Sequence, residues 1–591
     1  MARGKGHEGA APGAPLSGRH GWLEPAALFA LSLALYLPSL GHGFVWDDQA
    51  QVVANRWLSG WGHLPEIFGG GVWDFDQAGT SNYYRPLMHV AYLAVGQAFG
   101  RVAWAYHLLN VLVNAAVPLA VLALGRALRE GDRTAAPDAA LAAGVLFAVH
   151  PVHSEAVLWI AALPELLATA FALLALLAYV RALRPGGRAA PWLGAAAYLA
   201  GGLSKEVVLP LPLVLLAAEA LLAPMDRWSR RVVRLAPFAL AAGLYLVLRQ
   251  HALGGLLALP RAHGAAVASP LVTVPVSLAR YVRALVAPFP LNAYWDVAWP
   301  ASAASSAALA GWLAAAVLAT ALVLAWRRDR VAALGLVLFG VALAPAFFTS
   351  AISGARFAER YLYLPSAGAC LAVGVALERL ARGPRAEAVR SGLLAAAGLA
   401  GAALVWAHLP AWKDERSLWA DAAEKSPGAA EVRFNLGTAL MRGGDAAGAA
   451  RELRAALDLR PAPPVEASAL VNLGMLLEGR GQPGQALALY ARAVAANPRS
   501  YTARLNLGGA LAERGRLGEA EAQLAAAVPL RPEDPSARLA LGTVLLDAGR
   551  PAEAVRPLEE AARLAPDDPE LRARLAEARA RAGASERSTS P

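Results

Sequence analysis

Between Trp22 and His408 the chain is a series of apolar runs, each broken by a short loop that is either arginine-rich or rich in aromatic and acidic residues. A hydrocarbon layer offers the backbone no water to bond, and about twenty residues of helix cross it, so such runs fold as a bundle of membrane helices. Composition agrees, with 57% apolar residues against 17% charged. All 16 tryptophans precede Ala420, and several flank the apolar runs as interfacial anchors do. From Glu431 onward the sequence is amphipathic and charged instead. The fold expected is all-α, a polytopic membrane bundle followed by a soluble helical array. The divisions read as a basic leader at 1–22, a membrane region at 23–410, a linker at 411–427, repeats at 428–568, and a capping helix with a disordered tail at 569–591.

Eleven spans are expected, centred near residues 32, 115, 144, 169, 197, 214, 243, 316, 340, 370 and 400. Arginines gather at 126/129/133, 181/184/188, 227/230/231/234, 327/328/330 and 379/382/385/390, always in alternate loops and on the side of a leader holding Arg3, Lys5 and Arg19. By the positive-inside rule that side is cytoplasmic, and the repeats then follow the eleventh span on the opposite side. The first apolar run lacks a small-residue cleavage site and reads as a retained helix. Pro86–Phe99 and Val276–Phe289 carry His89 and Arg280/Arg283 and read as amphipathic helices lying on the outer leaflet. The net charge of +10 sits in these loops, so it reports topology and not a nucleic-acid partner. The single cysteine, Cys370, excludes a disulfide framework.

Asn435-Leu-Gly, Asn472-Leu-Gly, Asn506-Leu-Gly and Ala540-Leu-Gly recur at spacings of 37, 34 and 34. Turn glycines Gly444, Gly481, Gly515 and Gly549 keep the same phase, as do Ala449, Ala486, Ala520 and Ala554. Pro427, Pro461, Pro498, Pro532 and Pro566 end each unit, where a missing N–H stops a helix. This is the tetratricopeptide pattern: helix–turn–helix units stacked into an α-solenoid with a concave groove. Asn435, Asn472 and Asn506 either form a ladder that grips an extended acceptor peptide or bond neighbouring helix backbone.

Charge near a membrane is costly and retained for a reason. The candidates all fall at the outer ends of spans. Asp47 and Asp48, in Phe44-Val-Trp46-Asp47-Asp48, offer a general base or, alternatively, a cap for the following loop. Tyr84 and Arg85 follow in Tyr83-Tyr84-Arg85-Pro86. His153 and Glu155 stand in His150-Pro-Val-His153-Ser-Glu155, where hydrogen bonding is preferred to metal because a third ligand is lacking. Lys205 and Glu206 form a cation–acid pair, and Glu359-Arg360-Tyr361 opens the tenth span. Asp74-Phe-Asp76 has the shape of a nucleotide-sugar metal motif but lies on the side where such sugars are scarce. No metal and no cofactor is expected.

The segments FVWDDQAQVVAN, NYYRPL, HPVHSEAV, LSKE and AERYLYLPS, in that order and followed by repeats, resemble the transmembrane-and-tetratricopeptide-repeat O-mannosyltransferases of the GT-C superfamily. The resemblance implies a GT-C-like membrane glycosyltransferase with a polyprenyl- or dolichyl-phosphate sugar as donor, typically mannose. It implies a Ser/Thr hydroxyl of a protein as acceptor, and metal-independent inverting transfer on the non-cytoplasmic side. Asp47 would be the base and Asp48 its support. Arg85, Lys205 and Arg360 would neutralise the leaving phosphate. Tyr84, His153, Glu155, Glu206, Glu359 and Tyr361 would position substrate, and Asn435, Asn472 and Asn506 would hold the acceptor peptide. Where animal members carry a basic residue before the acid, this chain reads Ala162-Leu163-Pro164-Glu165, which leaves Glu165 without an assigned role. The Ala/Arg-rich composition points to a bacterial inner membrane with an extracytoplasmic site, or the lumenal side of the endoplasmic reticulum in a eukaryote. Competing readings are a non-enzymatic repeat scaffold, for which eleven spans are too many, and a polysaccharide polymerase or ligase, which would concentrate arginines among the late spans.

Overall fold

A computed structural model describes residues 22–76, 82–130, 138–184, 191–255, 269–348, 357–380 and 385–589. The leader with Arg3, Lys5 and Arg19, and the loop arginines Arg133, Arg188 and Arg382, lie outside these residues. Every regular element among the described residues is helical.

Eight helices are long and apolar enough to cross a membrane, and a ninth crossing exists if Ala139–Val149 and Pro151–Leu158, bent by 50° at His150, count as one span. This corrects the expected eleven. The two that fall short are Pro191–Ser204 and Leu211–Leu222, of 14 and 12 residues. At about 1.5 Å per residue they are too short for a full hydrocarbon layer by themselves. Their sequence explains it: the polar Ser204-Lys205-Glu206 and then Pro210 interrupt what would be one apolar stretch. They are lodged against Leu163–Ala182, Trp228–Leu253 and Arg330–Leu343.

The two ends are distinguished by their side chains. At one end arginines tie together chain segments distant in sequence. Arg126 pairs with Glu24, Arg129 with Asp329 at 3.2 Å and Glu378 at 2.8 Å, and Arg379 with Asp329 at 3.0 Å. Arg184 donates to the carbonyls of Ala127 and Glu130. At the other end lie the acidic and aromatic segments. The loop arginines Arg126, Arg129, Arg184, Arg330 and Arg379 thus meet at one end of the bundle. The protein is a multi-pass membrane protein, and its lipid-facing helices, such as Ser306–Arg328, leave large apolar side chains such as Leu313 and Val317 uncovered.

Pro86–Phe99 is a helix that starts at Arg85 and ends beside Arg101, which donates to the carbonyls of Val53 and Asn55, so both its ends stay on the acidic side. The second outer helix is Pro270–Val286 and not Val276–Phe289. Ser269 caps it by accepting from Leu271 N at 3.3 Å, Pro270 opens it, and Pro288 and Pro290 forbid its continuation.

The segment 411–427, expected as a linker, is helical: a 3-10 turn at Leu409–Trp412 leads into Glu415–Lys425. Trp412 is wholly buried, and Leu418, Trp419 and Ala422 belong to the same apolar core as the bundle. Polar contacts lock the junction. Gly43 N donates to Lys413 O at 2.9 Å, Lys425 Nζ to Leu291 O at 2.7 Å, and Ser426 Oγ to Tyr294 O at 2.8 Å. Four helix pairs follow from Ala430 to Leu564, and Pro569–Thr589 continues as helix where a disordered tail was expected. Gly444, Gly481, Gly515 and Gly549 each take φ between 69° and 81°, a left-handed turn that a side chain would strain. The glycines of the recurring Asn-Leu-Gly triplets serve closeness instead: a Cβ on Gly474 would meet the Tyr490 ring at 2.4 Å.

Candidate active site

The chain leaves its first span through Leu37–Gly41 and then doubles back. At Trp46 it adopts φ 53°, a left-handed conformation rarely taken by a large residue. Asp48 fixes that turn. Its Oδ2 accepts from Val45 N at 3.0 Å, and its Oδ1 accepts from Ala161 N at 2.8 Å, which joins the turn to the start of the span Ile160–Ala182. Burial pushes the Asp48 carboxyl well up while these two N–H donors pull it down. Asp48 is thus sealed inside the protein and its oxygens are occupied.

Asp47 has the opposite setting. It faces a cavity of about 570 Å³, and its side chain makes no hydrogen bond among the described residues. Burial pushes its carboxyl up to about 6, and Arg360 draws it back toward the ordinary range. A carboxylate so placed is ionised near neutral pH yet basic enough to take a proton.

Arg85, Lys205 and Arg360 line the same cavity, together with Tyr361. Each cation is held by a carboxylate. Arg360 pairs with Glu155, which also accepts from Arg360 N at 2.8 Å. Lys205 pairs with Glu165, and Arg85 Nε lies 3.0 Å from Glu206 Oε2. Burial lowers the Lys205 ammonium from its ordinary value, and Glu165 opposes that shift. Rings stack between the charges: Trp46 lies on Trp159 with centroids 4.6 Å apart, and the Arg360 guanidinium sits 5.0 Å from the Trp159 centroid and 4.9 Å from that of Tyr361. Lys205 completes the series 5.1 Å above Tyr361. A guanidinium offers five donors, so one carboxylate does not exhaust Arg360.

The remaining expected residues lie behind this wall. Glu155 and Glu206 serve as counter-ions. Tyr84 donates its hydroxyl to Phe68 O at 2.9 Å, and its N–H donates to Glu206 at 3.1 Å. His153 is buried with its Nε2 2.8 Å from Ser366 Oγ, and His150 bonds Leu285 O at 3.0 Å, so both rings are engaged in hydrogen bonds. Glu359 faces away and accepts from Asn292 N at 3.0 Å. Asp74 accepts from Gly71 N at 2.7 Å and shapes its own loop. On the solenoid, Asn472 donates to Thr438 of the preceding repeat at 3.1 Å, whereas Asn506 bonds Thr502 O on its own helix at 2.8 Å.

Several lining residues escaped sequence reasoning. Glu165, which the sequence left without a role, lies on the cavity wall as the partner of Lys205. Trp73, Trp295 and Asp296 come from outer loops without a recognisable motif, and Glu431 comes from the first repeat helix. Tryptophans beside the acidic and basic segments were a usable signal; the reach of Glu431 across the junction was not.

Tetratricopeptide-repeat family models match residues 416–466, 434–481, 471–535 and 535–578. The chain is 34% identical over 205 residues to the protein O-mannosyl-transferase Tmtc2 of Drosophila melanogaster, covering 32% of this chain and 21% of that protein. It is 35% identical over 158 residues to the Mus musculus protein O-mannosyl-transferase TMTC2, covering 26% and 18%. The similarity lies in the repeats, and the chain spans about a fifth of the length of these relatives. Among solved structures it is similar to YrrB, a repeat protein with an unusual peptide-binding site, at 25% identity and a TM-score of 0.23, covering 26% of this chain and 79% of that one. It is likewise similar to PilF of Pseudomonas aeruginosa at 28% identity and a TM-score of 0.24, covering 26% and 69%. Repeats of this kind imply a protein partner, and through them this membrane protein is homologous to the Tmtc protein O-mannosyl-transferases.

Proposed function

We propose that the chain is a membrane glycosyltransferase that moves a sugar, mannose by analogy with its relatives, from a polyprenyl- or dolichyl-phosphate to a Ser or Thr hydroxyl of a protein on the extracytoplasmic side. The observation that carries this reading is the shared cavity: an unengaged carboxylate with its pKa pushed up to about 6 opens into the same space as three cations. Asp47 takes the hydroxyl proton as the oxygen attacks the anomeric carbon. The bond from that carbon to the phosphate oxygen breaks, and Arg85, Lys205 and Arg360 bear the charge that develops on the phosphate. Trp73, Trp159 and Trp295 give the sugar apolar faces. Asp48 and the three counter-ion carboxylates position these groups without touching substrate.

The acceptor arrives along the solenoid, whose first helix places Glu431 on the cavity wall. The test is transfer from purified polyprenyl-phosphate mannose to a Ser/Thr-rich peptide by the full chain in nanodiscs. Absence of transfer with every lipid-linked sugar offered, by protein that is folded and binds peptide, would leave the repeat scaffold as the better reading.

A further inference from the structure

Beside the cavity, on the far side of Trp295 and Phe357, lies a second and much smaller notch of about 20 Å³. Arg280 and Arg283 of the helix Pro270–Val286 stand on its rim, one helical turn apart. Arg283 donates to Phe289 O at 3.1 Å, and Arg280 has no ion-pair or hydrogen-bond partner among the described residues. Glu359 forms the inner wall and is 2% exposed. Its Oε1 is used twice, by Asn292 N at 3.0 Å and by Trp295 Nε1 at 3.2 Å, while its Oε2 is buried with no partner. Phe289, on the lining with Ala284, Ala287 and Pro288, is 58% exposed.

We propose that this notch binds a lipid phosphomonoester, the polyprenyl phosphate left when the sugar departs, as a release subsite. The inference rests on the proposed transferase reading for the source of the lipid. Two guanidiniums call for an anion. The orphaned Oε2 calls for an occupant that brings an O–H. A phosphodiester has none, whereas a phosphomonoester with its second pKa near about 6 carries one in about a tenth of its molecules at pH 7, and Oε2 is placed to accept it; the second negative charge of the rest suits the two guanidiniums. The apolar rim suits a lipid tail rather than free phosphate. The transfer itself makes this species: the donor is a diester, and breaking its bond to the anomeric carbon leaves a monoester. Glu359 directly precedes Arg360 in sequence, so the path from the cavity cations to Arg280 is short.

The experiment is lipid retention by the full chain in nanodiscs, read by native mass spectrometry and without turnover. The probes are polyprenyl phosphate, its methyl diester, phosphatidic acid and inorganic phosphate. Wild type should retain the monoester in preference to the diester, and the variant carrying both Arg280→Gln and Arg283→Gln should lose about tenfold. Glu359→Gln keeps an oxygen for Asn292 and Trp295 and turns an N–H toward the notch that either ester can accept, so the preference for the monoester should narrow. A merely structural role for Glu359 would not produce that narrowing. Equal retention by wild type and the double arginine variant, or an unchanged preference in Glu359→Gln, overturns the site. Equal retention of phosphatidic acid overturns the polyprenyl assignment, and displacement by inorganic phosphate at equal concentration overturns the lipid. Loss of sugar transfer alone leaves these binding outcomes untouched, so failure of the transferase reading is seen separately.

Discussion

The indole of Trp419 stands edge-on to that of Trp46, with centroids 5.0 Å apart and planes at 68°. Trp419 belongs to the helix that precedes the repeats, and Trp46 is the residue before Asp47. The soluble array therefore rests directly on the turn that carries the proposed base. Trp46 also stacks on Trp159, whose ring meets the Arg360 guanidinium. One contact path thus runs from solenoid to base to cation.

Removing its first member should be felt at both ends. Trp419 is 2% exposed, and truncating a buried tryptophan to alanine costs about 3–5 kcal/mol. Trp419→Ala should lower the melting temperature and loosen the junction, read as faster hydrogen exchange in 42–48 and 291–296. Trp419→Phe should keep both near wild type. Unchanged exchange in Trp419→Ala would mean that the junction is held by its polar bonds alone.

Topology gives a second test. The eight helices long enough to cross, with the bent pair as a ninth, put the repeats an odd number of crossings from the basic end, and the short pair Pro191–Ser204 and Leu211–Leu222 leaves that parity unchanged. A reporter active only in the cytoplasm, fused after Pro591, should stay silent, and one fused at Gly186 should be active. A strong signal after Pro591 would reverse the orientation.

Local chemistry was legible in the sequence, and long-range arrangement was not. Gly444 and Ala449 announce a turn and a close helix contact because each solves a problem posed by its immediate neighbours. Loop arginines announce the ends of the bundle for the same reason. Hydropathy alone overstated Pro191–Ser204 and Leu211–Leu222, because apolar runs buried among other helices look like full spans. At the site, residue type singled out Asp47 and Arg360 without their surroundings. That Glu155 belongs to Arg360, 205 residues away, and that Glu431 reaches the cavity depend on packing no local pattern encodes.

The Arg360–Glu155 pair makes a third prediction. Arg360→Ala strands a carboxylate that is 1% exposed, and breaking a buried pair costs about 3–5 kcal/mol. It should lower both the melting temperature and transfer. Adding Glu155→Gln should recover much of the stability and none of the transfer, if Arg360 meets the phosphate in ground and transition states alike. Recovery of transfer in the double variant would make Arg360 a structural residue.

For the groove, changing Asn435, Asn472 and Asn506 together to Ala should weaken peptide use while leaving transfer to a free threonine derivative intact. Each lost side-chain bond is worth about 0.5–1.5 kcal/mol, so the three together should exceed a tenfold rise in KM for a long acceptor. Asn506 bonds its own helix here, so it should contribute least on its own. An unchanged KM in the triple variant would remove the ladder.

The acidic pair separates function from stability most cleanly. A base works in its unprotonated form, so kcat/KM should fall about tenfold per pH unit below the Asp47 pKa and level off above it. With that pKa near 6, the break should appear between pH 5.5 and 6.5. Asp47→Asn should remove the break and lower turnover by about a hundredfold or more, with little effect on donor binding. Its stability should move the other way. The folded-state pKa of Asp47 is raised above the ordinary 3.8, so the folded protein holds that proton more tightly than the unfolded chain. The carboxylate is therefore a cost to the fold above about pH 6, and Asp47→Asn should not lower the melting temperature at pH 7.5. Asp48→Asn should show the reverse pattern. Its amide must turn an N–H2 toward a backbone N–H, either that of Val45 or that of Ala161, at a cost of about 1–3 kcal/mol. Melting should drop, and activity should follow only as far as the turn is lost. If Asp47→Asn keeps near-normal turnover and the pH break persists, the base is another carboxylate on the cavity wall, and Glu165 is the one to change next.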